Sequence, residues 1–301
     1  MSRIFPQPQS SNTSSANFRG SLWMIFAMFA FALEDSLVKA AAANLPTGEL
    51  LILFGLGGML VFWCAAAATG AKLASPDAFS PTMRWRFCFE VVARLFYVLA
   101  LALTTLSSAT VILQATPIIV VLGAAVIFGE KVGWRRWSAI LFGLAGVLVV
   151  LRPTTDSFSA LSILALIGML GFAARDLASR AAPASLGTAT LGFYGYLAIT
   201  VAGIAYGAWE GKPFILPDGQ SCVNLIGAVA FGTIAYSALM KAMRSGEISV
   251  VTPFRYTRLL FGLALGVLAF GEALDTPMIV GSVMIVLSGL FILWRGRRIR
   301  Q

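Results

Sequence analysis

The sequence has no histidine and only three cysteines, Cys64, Cys88 and Cys222. The first absence removes the commonest metal ligand and general base. The second leaves no close cysteine pair for zinc and no disulfide framework. No H-E-x-x-H, G-x-S-x-G or Walker A pattern occurs either; Gly211-Lys212 is followed by Pro213. An enzyme, a metal protein and a self-sufficient ATP-driven pump are therefore not expected, and no cofactor is implied.

Charge is scarce as well. Only 12% of residues are charged and 58% are hydrophobic, with a mean hydropathy of +0.86, where a soluble domain carries about a quarter charged residues. The charges lie mostly in short gaps between apolar runs, and a membrane span needs about 20 residues. Ten spans are expected, at 20–42, 49–69, 84–104, 107–128, 134–151, 159–179, 187–208, 222–242, 248–270 and 276–294. The fold class is thus an all-α integral membrane protein. The polar lead MSRIFPQPQSSNTSSANF reads as a disordered tail over 1–18 and not as a signal peptide, because the first apolar run is of span length with no evident cleavage site.

The net charge of +9 is distributed by side. With the N-terminus in the cytoplasm, 15 of the 22 basic residues fall in inner segments, two (Arg152 and Lys212) in outer loops, and the rest in or beside spans. That asymmetry places both termini in the cytoplasm; the cell inner membrane of a bacterium is what size and the family resemblance given below imply. The basic surplus orients the chain; it does not call for nucleic acid.

The chain also repeats itself. Phe31–Thr47 (FALEDSLVKAAAANLPT) matches Phe172–Thr188 (FAARDLASRAAPASLGT) without a gap, 141 residues on, and Phe128-Gly129-Glu130 returns as Phe270-Gly271-Glu272. Five spans per half make the second half enter from the opposite face, so the repeats (19–153, and 154–301 with its basic end) are expected to be inverted. In such folds the substrate site lies near the midplane between the halves. One chain carries both halves, so a monomer suffices.

A ten-span, twice-repeated chain whose fourth helix in each half carries proline and runs into Gly-Glu resembles the EamA-type drug/metabolite transporter superfamily. Here the motif reads ATPIIVVLGAAVIFGE (Ala115–Glu130) and VTPFRYTRLLFGLALGVLAFGE (Val251–Glu272). Pro117 precedes its glutamate by 13 residues and Pro253 by 19, so the two helix kinks are out of register as prolines. The resemblance implies a secondary transporter in the lipid bilayer with a small-molecule substrate. Members similar to this chain, the YddG-type exporters among them, export amino acids; others move riboflavin, drugs or nucleotide sugars. A channel-like facilitator is the reading outside that class.

Charges inside a bilayer cost about 2.5–3.5 kcal/mol each on insertion scales, so each calls for a partner or a purpose. Asp35/Lys39, Asp176/Arg180 and Glu90/Arg94 are i,i+4 pairs with the acid first, the favourable order. They are expected to be self-contained ion pairs or gates. Glu34 adjoins Asp35; it serves proton coupling or pairs with Arg94 or Arg175. Arg258, about 15 Å along its span, offers a fork of donors that fits a substrate carboxylate or locks onto Glu34 or Glu90. Arg175 stands opposite Glu34 in the repeat. Tyr97, Gln114, Tyr236 and Tyr256 complete the candidate substrate-binding set, with tyrosine packing as the plainer account of the aromatics.

Overall fold

The structure, a computed structural model, describes residues 10–103, 112–152, 161–270 and 275–298. Gly271, Glu272 and part of the fourth expected span lie outside them, as does the Lys39 side chain. Regular structure among the described residues is helical. The helices are α1 (Ser10–Ala42), α2 (Thr47–Thr69), α3 (Pro81–Leu103), α4 (Thr116–Ile127), α5 (Trp134–Leu151), α6 (Ser162–Ala181), α7 (Thr188–Glu210), α8 (Gly219–Met243), α9 (Ile248–Val251), α10 (Thr257–Phe270) and α11 (Thr276–Arg298).

Six of these (α1, α2, α5, α6, α7 and α8) are long and apolar enough to cross a membrane. In lipid the backbone must satisfy its own hydrogen bonds, which a continuous helix does. α3 has the length but carries Arg84, Arg86, Glu90 and Arg94, and α4 and α10 are short because their spans are broken. α1 starts at Ser10, inside the stretch expected to be a disordered tail. It is held there by Asn17, whose side chain accepts from Glu247 N (2.7 Å). Cys64 and Cys88 are exposed on their helices.

The repeat is exact to the residue in one pair of helices. α2 and α7 begin at Thr47 and Thr188 and end at Thr69 and Glu210, each 141 apart. Each is stopped by a glycine, Gly70 and Gly211, both with φ 66°, a left-handed backbone that costs glycine no Cβ clash.

The halves interlock by exchange. α1 packs on α8, α3 on α6, α2 on α7 and α5 on α11. First helix to third, third to first, and like to like is the reciprocal pattern of a two-fold relation. α2 and α7 cross antiparallel: a Cβ on Gly48 would meet Gly207, one on Gly55 Thr200, and one on Gly58 Tyr196. An antiparallel contact between repeat equivalents places the two-fold perpendicular to both helices. Gly203 meets Leu51 and Ile52, so the Gly203-x-x-x-Gly207 spacing serves close contact, whereas Gly262 faces open space.

Both proline-bearing spans are interrupted. α4 follows a turn at Gln114–Ala115 and has Pro117 in its first turn, where the missing N–H removes no helical bond. In the second half α9 passes into a 3-10 turn, Thr252–Tyr256, containing Pro253, before α10. The interruptions are in register although the prolines are not. Thr116 Oγ1 donates to Leu113 O (2.5 Å), and Thr257 Oγ1, 141 residues on, donates to Phe254 O (2.7 Å).

Candidate functional site

Two groups of charges lie where the halves meet, one closed and one accessible. The closed group begins on α3, where Arg86 and Glu90 share a face at i,i+4 spacing. Glu90 accepts two hydrogen bonds from Arg175 Nη1 (2.8 and 3.0 Å) and one from the Tyr236 hydroxyl (3.0 Å). Arg86 donates to Ser179 Oγ (2.8 Å) and, through a short bond, to the Tyr236 hydroxyl. Ser179 in turn donates to Arg175 O (2.8 Å). Arg86, Glu90 and Ser179 have no exposed surface.

Asp176 extends this group to the broken ninth span. Its carboxylate pairs with Arg255 and lies 2.7 Å from Arg175 Nε, the latter a charge contact without hydrogen-bond alignment. Buried charges are tolerated when each finds a partner, and here α3, α6, α8 and the 3-10 turn are fastened together by doing so.

The accessible group is built from α1, α3 and α10. Arg258 grips Asp35 with both ends of its fork (Nε–Oδ2 2.8 Å, Nη2–Oδ1 2.5 Å). The side chains are 35% and 53% exposed, against 13% and 0% for Arg255 and Asp176. Asp35 and Asp176 are repeat equivalents, but their partners are not: Arg258 reaches Asp35 from the other half, Arg255 reaches Asp176 from the same half, and only the Asp35 position is open. Glu34 lies beside it, buried, with Oε2 lacking a hydrogen-bond partner among the described residues; the same holds for Arg94 Nε. Asp35, Arg94 and Arg258 are the electrostatic neighbours of Glu34.

Aromatic rings carry these arginines. Arg258 sits 5.0 Å from the Phe31 ring centroid, while Arg94 (5.7 Å) and Arg175 (5.2 Å) share Phe172. Phe31 and Phe172 are again repeat equivalents. Tyr97 stands edge-on to Phe172 at 5.9 Å.

Two of the expected i,i+4 ion pairs, Glu90/Arg94 and Asp176/Arg180, are replaced by interhelical ones, while the Lys39 side chain of the third lies outside the described residues. Glu90 pairs with Arg175 and not Arg94. Asp176 pairs with Arg255 and not Arg180, which donates to Met243 O (3.4 Å). Asp35 pairs with Arg258, and Arg258 does not take Glu34 or Glu90. The reason is reach: a guanidinium from a packed neighbour approaches head-on, whereas an i,i+4 partner must fold back along its own helix.

Of the candidate binding residues, Arg258, Glu34 and Tyr97 come together. Arg175 and Tyr236 belong to the closed group. Gln114 is half-buried in the turn before α4. Tyr256 packs with Val147 and Ile285 against α5 and α11, away from the charges. Arg86, one of the 15 basic residues counted with the inner segments, is fully buried; its i,i+4 spacing to Glu90 is the sequence signal for an inward face. An apolar groove of about 790 Å³ between α5 and α11, lined by Phe142, Phe291 and Trp294, touches none of these charges. Among the described residues no three Cys, Asp or Glu side chains gather as metal ligands.

At one end of the bundle a second polar latch forms around the first Phe-Gly-Glu. Glu130 accepts from Ile248 N (2.8 Å) and Ser249 N (3.1 Å), capping α9. Arg136 binds Glu247 (2.7 Å) and Ser249 (2.9 Å) beside it.

The sequence pattern of the EamA-like transporter family matches residues 18–152 and again 160–294. The chain is 26% identical over 290 residues to a riboflavin transporter of Vibrio cholerae, covering 94% of this chain and 96% of that one. It is 26% identical to the pseudopaline exporter CntI of Pseudomonas aeruginosa (89% and 94% covered). An S-adenosylmethionine uptake transporter of Rickettsia prowazekii is 22% identical (93% and 94%). A solved crystal structure shares the fold with a TM-score of 0.75 at 20% identity, covering 96% of this chain and 99% of that one.

Proposed function

The chain belongs to the EamA-like transporter family, and on that premise we propose that it is a secondary transporter exporting amino acids or related small metabolites across the cytoplasmic membrane. The halves 19–153 and 154–301 rock against each other about the charged midplane, with both termini in the cytoplasm. The observation that carries this reading is the unequal pair of repeat equivalents: Asp35 is 53% exposed and Asp176 is 0%. Equivalent positions that are open in one half and shut in the other suit one access state of an alternating carrier. The relatives support a small organic solute: by name they carry riboflavin, pseudopaline and S-adenosylmethionine. Both the Asp35–Arg258 and the Asp176–Arg255 pairs are formed in this state, and breaking them in turn is the switch of this reading. Proton coupling belongs to this reading, through Glu34 next to Asp35.

Counterflow in proteoliposomes tests it. Vesicles loaded with unlabelled amino acids should take up labelled amino acids saturably, and Arg258→Ala in a folded protein should abolish the exchange. Uptake of riboflavin instead, the alternative favoured by the Vibrio relative, would replace the substrate and keep the carrier. Flux far above 10³ per second would mark a channel-like facilitator.

A further inference from the structure

We propose that the groove between α5 and α11 is a binding site for an anionic phospholipid, with an acyl chain lying in the groove and the phosphate held at its mouth. The inference is separate from the transporter reading. It needs only that the chain sits in a bilayer, and its ligand is held rather than carried.

The groove opens where α5 begins and α11 ends. Ser138 and Phe142 stand on one wall, Leu287, Phe291 and Trp294 on the other, with Ser288 between them. Both serines spend their hydroxyl protons on backbone: Ser138 donates to Trp134 O (3.0 Å) and Ser288 to Ala139 O (2.6 Å). Among the described residues no charged side chain lines the groove. A polar solute would bury its groups there with nothing to answer them, at a cost that an alkyl chain does not meet. The volume, about 790 Å³, suits a lodged ligand. Phe142, Leu287, Phe291 and Trp294 are left 39–51% exposed by the protein itself.

The mouth supplies the second observation. Trp134, Ser138 and Phe142 follow one another at i,i+4 spacing, so Trp134 lies on the groove's face one turn nearer the helix start. It is 72% exposed, and the Arg135 guanidinium sits 5.3 Å from its ring centroid. Arg136, the next residue, is taken by Glu247, whereas Arg135 and Lys131 are exposed. On α11, Arg295 and Arg298 follow Phe291 and Trp294 at i,i+4 spacing. The apolar groove therefore runs out into basic positions on both helices, with a tryptophan on each, the residue that favours headgroup depth. Alkyl chain below and negative charge above is the chemistry of an anionic phospholipid, whose phosphate accepts charge-assisted bonds from arginine.

A second copy of the chain fits this face less well. Two copies in the same orientation, paired two-fold through the groove, would present the same surface to each other. Their basic ends would meet at one level, like charge against like.

The test uses native mass spectrometry of the purified full chain in detergent. The probes are dioleoyl phosphatidylglycerol, dioleoyl phosphatidylcholine and glycerol phosphate, the last as a head without chains. Saturable binding of phosphatidylglycerol is expected, with phosphatidylcholine weaker and glycerol phosphate absent. Arg135→Gln should weaken phosphatidylglycerol about fivefold, the weight of one basic residue near an anionic head, and leave phosphatidylcholine unchanged. Ser138→Phe, which fills the groove from an exposed position, should weaken both lipids. Unfolding temperatures in lipid-free detergent establish that the variants fold, and Ser138→Leu replaces the phenylalanine variant if it does not. Equal binding of the two lipids, or phosphatidylglycerol binding undiminished in the folded variants, overturns the proposal. Glycerol phosphate binding as tightly as the lipid would make this a free-anion site and overturn it as well. A dimer whose formation displaces the lipid would give the groove to a second copy instead. Transport is not read in any arm, so each outcome bears on the lipid site alone.

Discussion

Met59 and Thr200 touch across the α2–α7 contact, the threonine hydroxyl 3.6 Å from the methionine sulfur, and they are 141 residues apart. That separation is the repeat offset, so each residue meets its own equivalent and the pseudo-two-fold passes beside them. A residue can touch its equivalent only at the axis. The contact therefore marks the place about which the halves are related, and the glycines around it let the two backbones close on one another.

The first prediction concerns that closeness. A Cβ on Gly48 would lie 2.4 Å from Gly207 Cα, with backbone on both sides and nothing flexible to move, while a Cβ on Gly207 would meet nothing nearer than 3.6 Å. Gly48→Ala is expected to destabilise by about 1–3 kcal/mol, the usual cost of overpacking. Gly207→Ala is expected to be close to neutral. Thermal unfolding of the two variants in one detergent compares them; equal losses would mean that the backbones are not in contact there.

A second prediction isolates the Tyr236 hydroxyl, which accepts from Arg86 and donates to Glu90. Tyr236→Phe keeps the ring, its contacts with Tyr196 and Phe62, and both charges. It leaves a buried arginine and a buried glutamate each short of one partner, at a cost of about 1–3 kcal/mol. A double-mutant cycle with Arg86→Met should show the two changes to be non-additive. Additive losses would place the hydroxyl outside the network.

The repeat, the helical class, the proline interruptions and the inward charges were legible in the sequence because each leaves a local trace: a fixed offset, apolar runs of span length, a residue type out of place. The pairings were not. Spacing along one helix reports which side chains share a face, and so Glu90/Arg94 and Asp176/Arg180 looked like partners. The partners found are 85 residues away for Glu90 and 79 for Asp176, and 223 for Asp35. Those distances are fixed by which helices pack together, between the halves for Glu90 and Asp35 and within the second half for Asp176. The common register of the two helix interruptions was hidden for a different reason. Proline drew attention, but the shared feature is a threonine at the helix start, Thr116 and Thr257.

A third prediction follows from the contact between the end of α5 and the start of α11. The Arg152 guanidinium bound to Asp275, and the Met278 N–H, hold the Asp275 carboxyl below its ordinary value of 3.8. A carboxyl depressed by folding contributes stability that is fully present above its unfolded value and is lost as pH falls through the folded one. The stability gap between the wild type and Arg152→Ala should therefore be constant from pH 7 to about 5 and shrink below about 4. Unfolding temperatures across that series read it directly. A gap that widened on acidification would reverse the assigned sign.

The fourth concerns Glu130, whose two carboxylate oxygens hold the N–H groups of Ile248 and Ser249. Glu130→Ala removes the cap of α9 and should cost about 0.5–2 kcal/mol, while Glu130→Gln, which keeps an acceptor, should cost less. Hydrogen exchange at the start of α9 gives a local readout: protection there should fall in the alanine variant and be largely retained in the glutamine one. Unchanged exchange in both would show that the cap does not hold this end of the bundle.

The last prediction sets the two equivalent aspartates against each other. Asp176→Asn strips a fully buried group of its charge and leaves Arg255 and Arg175 facing a neutral amide, which should destabilise by about 3–5 kcal/mol. Asp35→Asn breaks a pair whose side chains are already 35% and 53% exposed, where water can take over, so the loss should be only about 0–1 kcal/mol. Transport should order them differently: Asp35→Asn folds yet fails in counterflow, because the open copy is where the solute enters. If the switch breaks the two pairs in turn, trapping the opposite access state must also invert the accessibility of the two positions. A probe that reaches Asp35 in one state should reach the Asp176 side in the other. Equal stability losses for the two asparagine variants would argue that the open and closed pairs differ only in appearance, and the asymmetry on which alternation rests would have to be abandoned.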